Sequence, residues 1–128
     1  MPQQLSLVSI LVEDYDQAIE FYTQKLGFVL KEDTPQGGKR WVVVAPRGSQ
    51  ESAILLAKAS KPEQVALIGG QGAGRVWLFL QTDDFWTDYQ RMLSAGVQFL
   101  EEPRDESYAT VVVFQDLYGN KWDLLQRK

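Results

Sequence analysis

Residues 12–22 read Val12-Glu13-Asp14-Tyr15-Asp16-Gln17-Ala18-Ile19-Glu20-Phe21-Tyr22, and the chain runs on to Leu26-Gly27-Phe28. Asp14 suits a helix N-cap, with Gln17 three residues later as its capping-box partner. Tyr15, Ala18, Ile19, Tyr22 and Leu26 follow at helical spacing, and Gly27 suits the helix C-cap. Upstream, residues 5–12 (LSLVSILV) form an apolar run suited to a buried strand. Val8, Ile10 and Val12 share one face of it; Leu7, Ser9 and Leu11 share the other. Downstream, residues 28–31 resume as a strand. Thr34-Pro35-Gln36-Gly37-Gly38 is a polar turn, residues 40–45 are valine-rich and extended, and 46–49 turn again. Residues 53–57 complete the unit, so the order is strand, helix, then three strands.

The second half repeats the first after a linker, residues 60–74, that ends in GGQGAG. Residues 75–81 alternate, with Val76, Leu78 and Leu80 on one face and Arg75, Trp77, Phe79 and Gln81 on the other. Thr82-Asp83-Asp84 caps a helix carrying Phe85, Tyr89, Met92 and Leu93, which Gly96 closes. Residues 97–100 form a strand, 103–107 a loop and 110–114 a strand. Leu117-Tyr118-Gly119-Asn120 turns, and 121–125 end the fold. Asp14 matches Asp84 at nearly the offset that relates Gly27 to Gly96, and residues 40–43 match 110–113. The expectation is an α+β fold: two tandem βαβββ modules, 1–59 and 75–128, forming curved mixed sheets around a cavity within one domain spanning 1–128.

Composition narrows the function. The chain has 128 residues, 45% hydrophobic and 12% aromatic, as expected of a globular domain that needs no disulfide. It contains no histidine and no cysteine. Zinc sites of the usual kinds and Ser-His-Asp or Cys-His nucleophile systems therefore cannot form within one chain. Any metal would be held by oxygens. The net charge of −4, with 13 scattered basic residues, argues against nucleic acid. No apolar run reaches membrane-spanning length and residues 1–4 do not resemble a signal peptide, so cytoplasmic residence is the expectation.

Taken in order, V12-x-D-Y-D-x-A-x-x-F-Y22, the LGF of residues 26–28, Thr82-Asp83-Asp84, Gly96-Val97 and F114-x-D-x-Y-G-N-x-W-D-L124 resemble the vicinal oxygen chelate superfamily. That superfamily holds glyoxalase I, extradiol dioxygenases and bleomycin-resistance proteins. The resemblance covers essentially the whole chain and implies a homodimer. It also implies a divalent metal held by four side chains, whose positions fall here on Leu7, Leu55, Trp77 and Asp123. Of these only Asp123 has a ligating atom, and one carboxylate plus waters binds a divalent ion weakly. No cofactor is expected, with a weak divalent site as the alternative.

The candidate ligand-binding residues are Leu7, Ser9, Arg40, Leu55, Arg75, Trp77, Phe79, Tyr108 and Asp123. Trp77, Phe79 and Trp41 suit an aromatic wall, or else ordinary sheet core. Trp41 and Arg40 lie on opposite faces of one strand, so one of the two must leave the cavity. Arg40 and Arg75 suit a bidentate grip on carboxylate or phosphate, or else surface ion pairing. Asp123 is the candidate catalytic or proton-transfer group, or else a partner for Arg40, Arg75 or Lys121. Ser107 and Tyr108 suit a lid or a solvated loop. GGQGAG lacks Gly-Lys-Ser/Thr and precedes a strand, so it reads as a hinge and not a phosphate cradle. The leading function is metal-independent binding of a small hydrophobic or aromatic molecule, as in the bleomycin-resistance type. The alternatives are a glyoxalase-type lyase, isomerase or dioxygenase using Asp123 and a second carboxylate such as Glu51, and a purely structural module.

Overall fold

The computed structural model describes all 128 residues. Contacts group the chain into two compact units, Met1–Ile68 and Gly69–Lys128. Each contains one mixed sheet.

The first unit is built as β1 (Leu7–Val12), α1 (Tyr15–Glu20), β2 (Val29–Gln36), β3 (Lys39–Ala45), β4 (Ala53–Lys58) and a short α2 (Pro62–Val65). Asp14 caps α1 as expected, Oδ1 accepting from the Gln17 amide at 3.0 Å. The helix then widens into a π-helical turn at Phe21–Lys25 before Gly27 reverses it at φ +79°. The sheet order is β1-β4-β3-β2, with β1 and β4 parallel and the other pairs antiparallel. Ile10, Val42 and Leu56 align across three strands and are fully buried, as are Ala18 and Tyr22 of the helical segment. This is the helix-covered face. Ser9, Leu55 and Val43 align on the opposite face.

Two boundaries differ from expectation. Residues 34–36 continue β2 and are not a turn; the reversal falls at Gly37-Gly38, with Gly37 at φ +66°. An edge strand exposed along almost its whole length has no need of apolar alternation and tolerates Pro35. The linker also carries α2, started by Pro62 and held by Gln64 Oε1, which accepts from the Ser60 amide at 2.9 Å.

The second unit is built as β5 (Val76–Gln81), α3 (Phe85–Ser94), β6 (Gln98–Phe99), β7 (Arg104–Asp105), β8 (Ala109–Gln115) and β9 (Lys121–Arg127). Its sheet runs β5-β9-β8-β6, with β7 also paired to β8. The loop expected over 103–107 therefore contains a two-residue strand, too short to show periodicity. Asp84 occupies the N-cap of α3, yet its side chain does not cap. Gln126 Oε1 accepts from the Phe85 amide at 2.8 Å instead, and Thr82 Oγ1 donates to Asp88 Oδ2 at 2.6 Å. An aromatic ladder runs from α3 to β9, half-buried at its outer end and buried at Phe114 and Trp122. Tyr89, Phe99, Phe114 and Trp122 follow one another at centroid separations of 4.7, 6.0 and 5.8 Å.

Candidate functional site

The turn between β8 and β9 aims the site. Asp116 and Asn120, each 3% exposed, are the chain's buried polar residues. Asp116 Oδ1 accepts from the amides of Tyr118 and Asn120, both at 2.9 Å, and Oδ2 accepts from Asn120 Nδ2 at 2.8 Å. Gly119 takes the left-handed conformation at φ +96°. The F114-x-D-x-Y-G-N motif is thus a closed turn held by internal hydrogen bonds. It delivers β9 in register, with Trp122 and Leu124 on the helix side and Asp123 on the other. The linker packs against this turn: a Cβ on Gly69 would lie 1.9 Å from the Tyr118 carbonyl oxygen.

Asp123 sits between Phe79 of β5 and Val113 of β8 in strand register, so the three share the face away from α3. Phe79 is 64% exposed, a large apolar ring open on that face. Asp123 Oδ1 is shut off from solvent and has no hydrogen-bond partner. Burial pushes its carboxyl above the ordinary value of 3.8; Arg104 opposes that shift through space and Glu101 adds to it. Arg104 does not bond to Asp123. Its Nε donates to Glu101 Oε2 at 3.0 Å and its Nη1 to Glu106 Oε2 at 3.2 Å, with Tyr108 as a further hydrogen-bond partner. Glu101 Oε2 also accepts from the Val113 amide at 3.0 Å. Lys121, two residues before Asp123, is engaged by the Gly74 carbonyl at 3.0 Å.

The other candidates separate by position. Trp77 falls in a bulge, where Val76 and Trp77 together oppose Lys121, and it packs on the linker: a Cβ on Gly72 would lie 2.8 Å from the Trp77 Cβ. Arg75 is exposed just before β5. Leu7, Ser9 and Leu55 share the face of the first sheet away from α1. Arg40 lies on the opposite face, with its guanidinium 5.1 Å over the Tyr15 ring. It bonds Asp33 at 3.1 and 2.7 Å and Asp16 at 3.0 Å. Those two carboxylates engage Nε and Nη2 of the fork, and Trp41 takes the face that Arg40 leaves. Glu51 is exposed in a bend.

Glu101 and Arg104 escaped the sequence reading. Their signal was the charged run Glu101-Glu102-Pro103-Arg104-Asp105-Glu106, which reads as a solvated loop until β7 pairs with β8. No three carboxylates stand where they could share one ion. Leu7, Leu55 and Trp77 offer no ligating atom, and the oxygens of Glu101 and Glu106 turn to Arg104. This donor set does not fit the divalent metal that the resemblance implied.

The Glyoxalase/Bleomycin resistance protein/Dioxygenase superfamily model matches residues 4–124, and the chain belongs to that superfamily. It is 56% identical to an uncharacterized protein of Shewanella frigidimarina (strain NCIMB 400), over 98% of this chain and 95% of that one. Among solved structures it is similar to UcmS2, at 32% identity and TM-score 0.86, with 98% of each chain covered. It is also similar to TnmS3, an antibiotic binding protein from Streptomyces sp. CB03234, at 29% identity and TM-score 0.83. That match covers 99% of this chain and 98% of TnmS3. No helix is long and apolar enough to cross a membrane.

Proposed function

We propose that the protein binds a small, partly aromatic molecule against the open face of its second sheet and needs no tightly held metal to do so. The observation that carries this reading is the pairing of Phe79 with Asp123. An exposed ring and an unsatisfied carboxyl stand side by side on one rigid sheet, where core packing requires neither. The likeness to TnmS3, described as an antibiotic binding protein, supports binding over turnover. A homodimer belongs to the same proposal, and the exposed Val65 and Leu67 after β4 are apolar surface that pairing would cover. Sedimentation at two concentrations tests it: a mass of one chain throughout removes that part.

The binding proposal is tested by thermal unfolding of chelator-treated protein with a panel of planar aromatic compounds. A ligand at about 100 times its dissociation constant adds about 2.7 kcal/mol, a rise of several degrees in the midpoint. The expected result is a saturable rise that Phe79→Ala abolishes. A rise that Phe79→Ala leaves intact would place the ligand elsewhere.

A further inference from the structure

We infer that the bound molecule presents a hydrogen-bond donor, a hydroxyl or a protonated amine attached to its planar ring system, to the carboxyl of Asp123, and that anionic ligands are rejected there. The inference rests on the binding reading above and names the chemistry of its ligand.

The first support is geometric. Phe79 and Asp123 are register partners on parallel strands, so their side chains rise from one face a single strand spacing apart. A ring stacked on Phe79 thereby brings its substituents over the Asp123 carboxyl. The second support is the unmet acceptor. A carboxylate accepts several hydrogen bonds, and a buried one with none is costly unless something else supplies a donor. No hydrogen bond or ion pair of the chain engages the Asp123 carboxyl; its Oδ1 is closed to solvent, so a ligand's donor meets the carboxyl at Oδ2.

The third support is the charge around it. The neighbouring cation, Arg104, is held by Glu101, Glu106 and Tyr108, and Lys121 is turned to the Gly74 carbonyl. Three carboxylates therefore accompany two cations, a net surplus of one negative charge that favours a cation or a donor over a carboxylate or phosphate. The arginines that suggested anion recognition do not alter this. Arg40 is engaged by Asp33 and Asp16, and Arg75 stands outside the strand.

The test uses three probes of one shape, naphthol, naphthylmethylamine and naphthoate, with naphthalene as the unsubstituted reference. Affinities come from quenching of tryptophan fluorescence in the full chain and in Asp123→Asn. The amine is expected to bind about tenfold or more tighter than the naphthoate. Naphthol is expected between the amine and naphthalene. In Asp123→Asn the preference for the amine should collapse while naphthalene affinity is kept, which also shows that the variant folds. Equal affinities for amine and naphthoate, with binding lost in Phe79→Ala, would overturn the inference and leave the binding reading standing. A preference that survives in Asp123→Asn would also overturn it. Failure of every probe, naphthalene included, would overturn both.

Discussion

At the scale of single residues, the placement of three charged side chains decides the account. Arg40 and Asp123 are equally visible in the sequence, but which sheet face each takes depends on registers that only pairing reveals. Arg40 aligns with Val42 and Val44 on the helix side, where Asp33 and Asp16 engage its guanidinium. Arg40→Ala should therefore leave affinity for an aromatic probe unchanged within about twofold, because its guanidinium is already engaged by Asp33 and Asp16. Titration calorimetry of the variant checks this. Asp123 makes the opposite prediction. Its carboxyl titrates above 3.8 because burial penalises the charged form. A group whose folded value is raised contributes stability that is complete below its unfolded value and lost as pH rises through the folded value. Ionised Asp123 thus weakens the fold at neutral pH. Asp123→Asn should raise the unfolding midpoint at pH 7, by about 1–3 °C once solvent screening is allowed for. The gain should disappear in acid below 3.8, and a gain that persists there would contradict this assignment. Arg104 was illegible because its role depends on β7, a strand of two residues with no period to detect.

At the scale of elements, sequence and structure agree where periodicity is strong and part where the ends of elements are set by tertiary partners. The β1–α1 junction was legible because Asp14 caps its own helix through a local bond. The β5–α3 junction carries the same Asp but caps through Gln126, which lies 41 residues away on the last strand. The two capping residues should therefore respond differently. Asp14→Ala should cost about 1 kcal/mol in urea unfolding, whereas Asp84→Ala should cost only about a few tenths. Equal losses would contradict the distinction. The residues 34–36 resembled a turn because an edge strand need bury neither face. The β8–β9 turn shows the reverse case, a family motif that proves to be architectural. Asp116→Ala removes the acceptor of three hydrogen bonds from a buried turn and should cost roughly 2–4 kcal/mol. Gly69→Ala should be comparably damaging, roughly 3 kcal/mol, since the added methyl meets the Tyr118 carbonyl at φ +79°. Both losses are read from denaturant unfolding. A tolerated Gly69→Ala would mean that the linker does not pack on the turn.

At the scale of the whole molecule, the fold and its repeated plan were legible from the order of motifs, and membership of the superfamily follows from a match over residues 4–124. Fold does not carry reaction class, so function rests on the site. The positions where the resemblance placed metal ligands hold leucine, leucine and tryptophan, with one carboxylate left. The sheet that retains this carboxylate sets an exposed aromatic beside it. The central claim is that this face binds a planar molecule through Phe79 and Asp123 with no metal taking part. Titration calorimetry tests it most directly, with naphthylmethylamine added to chelator-dialysed protein and to the same protein supplied with magnesium, manganese or nickel. The account predicts one dissociation constant in all four samples, weakened by Phe79→Ala. Binding that appears only when a metal is added would contradict it.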